Sequence, residues 1–194
     1  VAVDPALHIE LPAWLVEAVR DCPDLAGDGA RMAFVIDLAE RNVGRQSGGP
    51  FAAAVFESAS GRLLAAATNL VVGSACAAAH AELLALSLAQ KAAGRYDLAA
   101  AGLPACELVS SAEPCLMCSG AVLWSGVRRL LYAANDADVR AIGFDEGPKH
   151  PGWQDEFRRR GVEVVAGLLR ERASRVLIAY RDGGGVLYNG RGGG

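Results

Sequence analysis

Positive charge is nowhere in excess in this 194-residue chain: 19 Lys and Arg stand against 22 Asp and Glu, a formal net charge of -3. The basic residues are dispersed, which argues against a protein that grips a polyphosphate backbone. The one run, Arg158-Arg159-Arg160, follows Gln154, Asp155 and Glu156 on what reads as a surface helix, where a solvated face is the ordinary outcome. Cysteines number five, and an odd count speaks against a disulfide framework. No apolar run reaches membrane length and no signal segment opens the chain, so a reducing cytoplasm is the expected compartment. Internal repeats are absent, and the only biased segment is the glycine-rich C-terminus. What is present is 52% hydrophobic residues, which excludes disorder for most of the chain. The length suits one domain with a full core.

Periodicity then sketches the elements. Leu11 to Arg20 reads as a short helix with Pro12 near its start, and Asp28 as the cap of a longer one whose apolar face is Met32, Val35, Ile36 and Ala39. Gly48-Gly49-Pro50 stops it. Phe51 to Phe56 and Arg62 to Thr68 read as a hairpin, Ala105 to Ser110, Arg128 to Ala134 and Val162 to Val165 as further strands. Helices are expected at Ala78 to Ala93, from Cys115 to about Trp124, at Asp136 to Ile142 and at Leu168 to Tyr180. Strands alternating with helices after a hairpin imply an α/β fold: three α-β-α layers around a mixed five-stranded sheet. Residues 1–182 form the expected single domain. Gly183-Gly184-Gly185 marks a flexible break before a tail, 183–194, whose Val186-Leu187-Tyr188 is apolar enough to dock and whose Arg191 to Gly194 should be disordered.

The chemistry is concentrated in His80-Ala81-Glu82 and Pro114-Cys115-Leu116-Met117-Cys118. One imidazole and two thiols fill three positions of a tetrahedral zinc and leave one for water, the arrangement of a catalytic site, since a structural zinc is closed by four ligands. A Cys-x-x-Cys pair alone is also the spacing of redox dithiols and zinc knuckles; His80, Glu82 and Pro114 are what favour the metal. Residues two apart on a helix point about 200° from each other, so His80 and Glu82 serve one site only if the helix meets the metal end-on. Cys115 and Cys118, three apart, share a face. Two helix N-termini would then aim at the zinc and favour thiolate, so both cysteines should be deprotonated at neutral pH. The spare donors His8, His150, Cys22, Cys76 and Cys106 have no spacing that pairs with these three.

These words are the signature of the zinc-dependent nucleobase deaminases. The chain resembles the cytidine deaminase superfamily over nearly its whole length, and within it the bacterial zinc-dependent guanine deaminases. The narrower likeness rests on Gly48-Gly49-Pro50-Phe51, Thr68-Asn69, Ser111-Ala112-Glu113-Pro114-Cys115, Trp124, Phe144-Asp145-Glu146-Gly147 and Tyr188. It implies that His80, Cys115 and Cys118 hold Zn2+, with Glu82 as proton shuttle and Glu146 as a second acidic residue. Phe51 would stack near the base, Asn69 bond its edge, and Ala81, Trp124, Phe144 and Tyr188 complete the substrate-binding set. It implies a small nucleobase substrate, guanine first, and a homodimer in which Glu146 and Tyr188 act in cis or, by C-terminal exchange, in trans. A physical reason supports guanine: its N1-H and 2-NH2 lie side by side, a pair one carboxylate accepts bidentately, and adenine and cytosine lack it.

Each position also has an ordinary reading. Phe51 and Trp124 suit a core, Asn69 a turn, Tyr188 a frayed tail, and Asp145 and Glu146 a solvated loop. The same chemistry on guanosine, cytosine, an amino-triazine or tRNA adenosine stays open. So does a zinc-stabilised binding module without activity, against which an intact Glu82 weighs.

Overall fold

Ala52, Ala54 and Phe56 enter one core while Ala53 and Val55 enter another, as the two-residue period of a strand demands of one covered on both faces. The computed structural model describes residues 6–190, and its sheet is built on that alternation. The elements are α1 (Ala13–Arg20), α2 (Asp28–Gly44), β1 (Ala52–Glu57), β2 (Leu63–Thr68), α3 (Val71–Ser74), α4 (Ala81–Ala93) and β3 (Cys106–Ala112). There follow α5 (Leu116–Ser125), β4 (Arg129–Ala134), α6 (Asp136–Ala141), α7 (Trp153–Arg159), β5 (Glu163–Ala166) and α8 (Arg170–Asp182). The five strands run in the order β2-β1-β3-β4-β5. β1 is antiparallel to β2 and to β3, while β3, β4 and β5 are parallel. This is the mixed five-stranded, three-layer α/β sheet expected.

Leu15 of α1, Met32, Val35, Ile36 and Leu38 of α2, and Val176 and Leu177 of α8 cover one face. Ala85, Leu86 and Ala89 of α4, Val122 of α5 and Phe157 of α7 cover the other. Between α2 and the sheet sits a buried charge cluster. Glu107, fully buried on β3, pairs with Arg31 of α2 and with Arg129 of β4, and Arg129 also reaches Asp28 and Glu163.

Three local expectations are corrected and one short element is added. Asp28 makes no side-chain cap; Gly27 holds the N-cap at φ +78°, and the Asp28 carboxylate is taken by Arg129, Oδ2 at 2.9 Å. The helix expected from Ala78 begins at Ala81, because His80 has extended backbone (φ -73°, ψ 149°). The single turn of α3 carries no periodic signal over its four residues. The glycine break is a hydrogen-bonded turn, with Gly185 N–H donating to Tyr180 O (2.9 Å) and the Tyr180 hydroxyl to Val186 O (2.8 Å). Disorder at Arg191 to Gly194 concerns positions outside the described residues. The Arg158-Arg159-Arg160 run is neutralised by Asp155 and Glu156 of its own helix. No helix among the described residues is long and apolar enough to cross a membrane.

Candidate active site

Two of the three candidate metal donors sit at N-caps. His80 caps α4 and Cys115 caps α5 with backbone at φ -63°, ψ 174°. At an N-cap the backbone leaves the helix, so a side chain can swing across the end of the axis. Cys118, three residues on, points to the same end from the first turn of α5. His80 Nδ1 lies 3.6 Å from Cys115 Sγ and 3.5 Å from Cys118 Sγ. Ligand bonds of about 2.0–2.1 Å to nitrogen and 2.3 Å to sulfur at tetrahedral angles place N and S about 3.6 Å apart, so the donor set fits zinc. Among the described residues this is the one group of three or more His, Cys, Asp or Glu whose ligand atoms gather at such distances. No fourth His, Cys, Asp or Glu among the described residues joins the group.

The pair of sulfurs is electrostatically asymmetric under the protein's own charges. A hydrogen bond from Cys118 lowers Cys115 to about 4, with burial opposing and His80 assisting. The Cys118 thiol is pushed up, because its proton is held by Cys115 and because it is buried. One thiolate is therefore favoured by the protein's own charges; the expectation of two concerns the zinc-bound site, where a cation among the donors acts on both sulfurs in the same direction. Burial lowers His80, but the bond to Cys115 and the nearby Glu82 outweigh it, and its net shift is upward. Glu82, 7% exposed in the first turn of α4, is held above the usual carboxylate range by burial and then by Cys115.

His80, Glu82 and Cys115 line a pocket with Phe51, Asn69, Ala112, Glu113, Phe144, Asp145, Glu146 and Tyr188. Its aromatic wall is continuous: Phe51 meets Phe144 edge-on at 5.2 Å, Phe144 meets Tyr188 at 4.8 Å, and Tyr188 stands 6.5 Å from the His80 ring. The Asn69 Oδ1 accepts the Val71 N–H at 3.2 Å, which leaves its amide nitrogen as the donor for the pocket. The Tyr188 hydroxyl is buried with no hydrogen-bond partner among the described residues. The cavity is small, about 50 Å³. A larger depression of about 990 Å³ lies at the start of α8, where Arg170 is paired with Asp138 and Arg172 with Asp37. Among the described residues it gathers no metal-ligating cluster.

Glu146 stands on the loop after α6 and is pushed up to about 8, by burial first and then by Cys115. Its backbone carbonyl accepts the Leu116 N–H at 3.1 Å, tying the loop to the start of α5. Arg140 donates to Gly147 O at 2.7 Å from the other side. The tail clamps the same loop: Asn189 accepts from Asp145 N–H (2.9 Å) and donates to Gly143 O (2.8 Å). Lys149 reaches beneath it, with Nζ 2.9 Å from Glu113 and 2.7 Å from Asp136.

Of the sequence-predicted positions, His80, Glu82, Cys115, Cys118, Phe51, Asn69, Phe144, Glu146 and Tyr188 are brought together within this one chain. Ala81 stands between two pocket residues, but its methyl group packs into the core under α4. Trp124 is a correction: it is 83% exposed and away from the pocket. It follows Cys118 by six residues, about 240° around the helix, so it cannot face the same way. Sequence reasoning missed Lys149, Glu113, Arg140 and Asn189. Lysine scarcity was a usable signal, since Lys91 and Lys149 are the only lysines among 19 basic residues.

Comparison with known proteins places these features. The family described as the cytidine and deoxycytidylate deaminase zinc-binding region matches residues 27–134. A solved structure of a guanine deaminase from Nitrosomonas europaea is 54% identical, with a TM-score of 0.89 over 93% of this chain and 99% of that one. A mutant of a protein named NE0047, in complex with 8-azaguanine, is 55% identical at a TM-score of 0.89 over 92% and 98%. The guanine deaminase of Bacillus subtilis (strain 168) is 37% identical over 111 residues, 57% of this chain and 67% of that protein.

Proposed function

The chain belongs to the cytidine and deoxycytidylate deaminase family, whose zinc-binding region it carries at residues 27–134, and from that membership we propose that it hydrolyses guanine to xanthine and ammonia. The observation that carries this reading is a pair of buried carboxylates in one pocket: Glu82 beside the His80-Cys115-Cys118 group, and Glu146 on the loop over it.

His80, Cys115 and Cys118 would hold zinc, which when bound would supply a nucleophilic water at neutral pH. Glu82 would take that water's proton and pass it to the ring nitrogen next to C2, then take the second proton from the new C2 hydroxyl and give it to the departing amine, so that ammonia leaves as the carbonyl forms. A carboxyl that burial holds above its ordinary range is suited to carrying a proton in both directions. Glu146, in the ionised form that the Lys149 ammonium favours and a cation among the donors would favour further, accepts N1-H and the 2-amino hydrogens, the donor edge that 8-azaguanine shares and adenine does not. The Asn69 amide and the Tyr188 hydroxyl, each without an acceptor among the described residues, are left for the rest of the base, and Phe51 and Phe144 form one aromatic wall beside it.

Tyr188 lines the pocket and Asn189 clamps the Glu146 loop, so residues 183–190 act as a closing segment. The reading extends to a homodimer, supported by the uncharged helix α5 with Leu116, Met117 and Trp124 exposed, and to exchange of the tail between subunits. It extends also to the cytoplasm, where thiolate ligands stay reduced.

The deciding measurement is ammonia release from a panel of guanine, guanosine, adenine, cytosine, an amino-triazine and tRNA. Guanine turnover that disappears in Glu82→Ala supports the assignment; zinc-loaded protein inert toward guanine at millimolar concentration refutes it.

A further inference from the structure

We propose that Lys149 is a positioning residue for Glu146, holding the substrate-reading carboxylate against the metal-bearing helix without competing for its lone pairs. The inference rests on the guanine deaminase reading and deepens it.

Lys149 has a side chain only 8% exposed, and its ammonium is surrounded by acceptors. Nζ lies 2.7 Å from Asp136 Oδ1, 2.9 Å from Glu113 Oε1 and 3.3 Å from Pro114 O, which accounts for the three protons an ammonium can donate. Glu146 Oε2 stands farther off, at 3.8 Å. It therefore feels the positive charge while its oxygens stay free of that donor.

The partners explain what Lys149 holds. Glu113 and Pro114 lead directly into Cys115. The second Glu113 oxygen accepts the Asp136 N–H at 3.1 Å, at the start of α6. Asp136 in turn binds Arg140, whose guanidinium holds Gly147 O. Lys149 thus joins three chain segments, 113–115, 136 and 146–149, around one cation. Three carboxylates converge there, so the cluster keeps its shape only while the ammonium is present. The geometry gives Glu146 a fixed distance from Cys115 and a counter-charge on the side away from the substrate.

The test is a double-mutant cycle on the zinc-loaded full chain: wild type, Lys149→Met, Glu146→Gln and the double variant. kcat and KM for guanine are measured together with the calorimetric Kd of 8-azaguanine. The expected result is a loss of about tenfold or more in kcat/KM for Lys149→Met, mostly in KM and matched in Kd, shrinking to under about threefold in the Glu146→Gln background. An equal loss in both backgrounds, or under about twofold in the wild-type background, overturns the proposal. Should Lys149→Met not fold, Lys149→Arg carries the same cycle, since it keeps the charge and changes the reach; additivity there overturns it equally. No guanine turnover by wild type sinks the enzyme assignment and this proposal with it. Turnover with additive variants sinks the proposal alone.

Discussion

Cys118 Sγ lies 3.5 Å from His80 Nδ1 although 38 residues separate them, because α4 and α5 start at the same point above the sheet. That convergence makes the metal the first thing to measure. Purified protein should carry about one zinc per chain by elemental analysis, and Cys118→Ser less than about a tenth of that, since two remaining donors bind weakly. Wild-type protein that stays metal-free after growth and refolding with zinc would exclude the centre.

Glu82 separates catalysis from metal-dependent stability. Glu82→Ala should lower kcat by about 10²–10⁴-fold, the usual contribution of a general acid-base group, with zinc retained. Its melting temperature should not fall, because burial already holds this carboxylate above its normal range and the substitution removes a costly group. A lowered melting temperature in a protein that turns over no substrate even as wild type would instead favour a zinc-stabilised binding module.

Tyr188 allows a trade between stability and affinity. Its hydroxyl has no partner among the described residues, a burial that costs about 1–3 kcal/mol. Tyr188→Phe should raise the melting midpoint by roughly 2–4 °C for each kcal/mol relieved. The KM for guanine should rise about tenfold, equivalent to roughly 1.4 kcal/mol. If both quantities stay at wild-type values, the hydroxyl neither costs stability nor meets the base.

Gly49 tests the tail from the other side. A Cβ there would come 2.3 Å from the Tyr188 oxygen, so Gly49→Ala must displace the ring. Guanine turnover should drop at least about tenfold with zinc content unchanged, and limited proteolysis should cut the tail sooner. Unchanged kinetics would mean that the tail does not shape the pocket.

Glu107 is the stability control, remote from the chemistry. Glu107→Gln leaves the Arg31 and Arg129 guanidiniums facing a neutral group, and should cost about 3–5 kcal/mol in urea unfolding. Activity per folded molecule should remain within about twofold of wild type. A loss under about 1 kcal/mol would show the cluster to be solvated rather than buried.

What the sequence revealed followed the range of each interaction. The donor triad was readable because residue type and short spacing restrict the geometry: two positions after an imidazole force an end-on approach, and three between thiols give one face. The strand pattern was readable because Ala52 to Phe56 is an unbroken apolar run and Leu108 and Val109 mark the middle of β3 in spite of Glu107, Ser110 and Ser111. Asp28 was misread because an aspartate before an apolar stretch signals a cap, and nothing local discloses that Arg129 competes for it. Lys149 went unseen for the same reason: Glu113, Pro114 and Asp136 are remote along the chain. Trp124 entered the substrate-binding set through the family likeness alone, although six residues after Cys118 it already lay on another side of its helix.

The imidazole and the first sulfur hang from the ends of α4 and α5, not from their bodies. Metal loss would thus loosen two helix beginnings and leave the five-stranded sheet, with its two interiors, largely untouched. Stripped protein should remain a folded receptacle that can be refilled, unlike small zinc domains that dissolve into random coil when the ion is withdrawn.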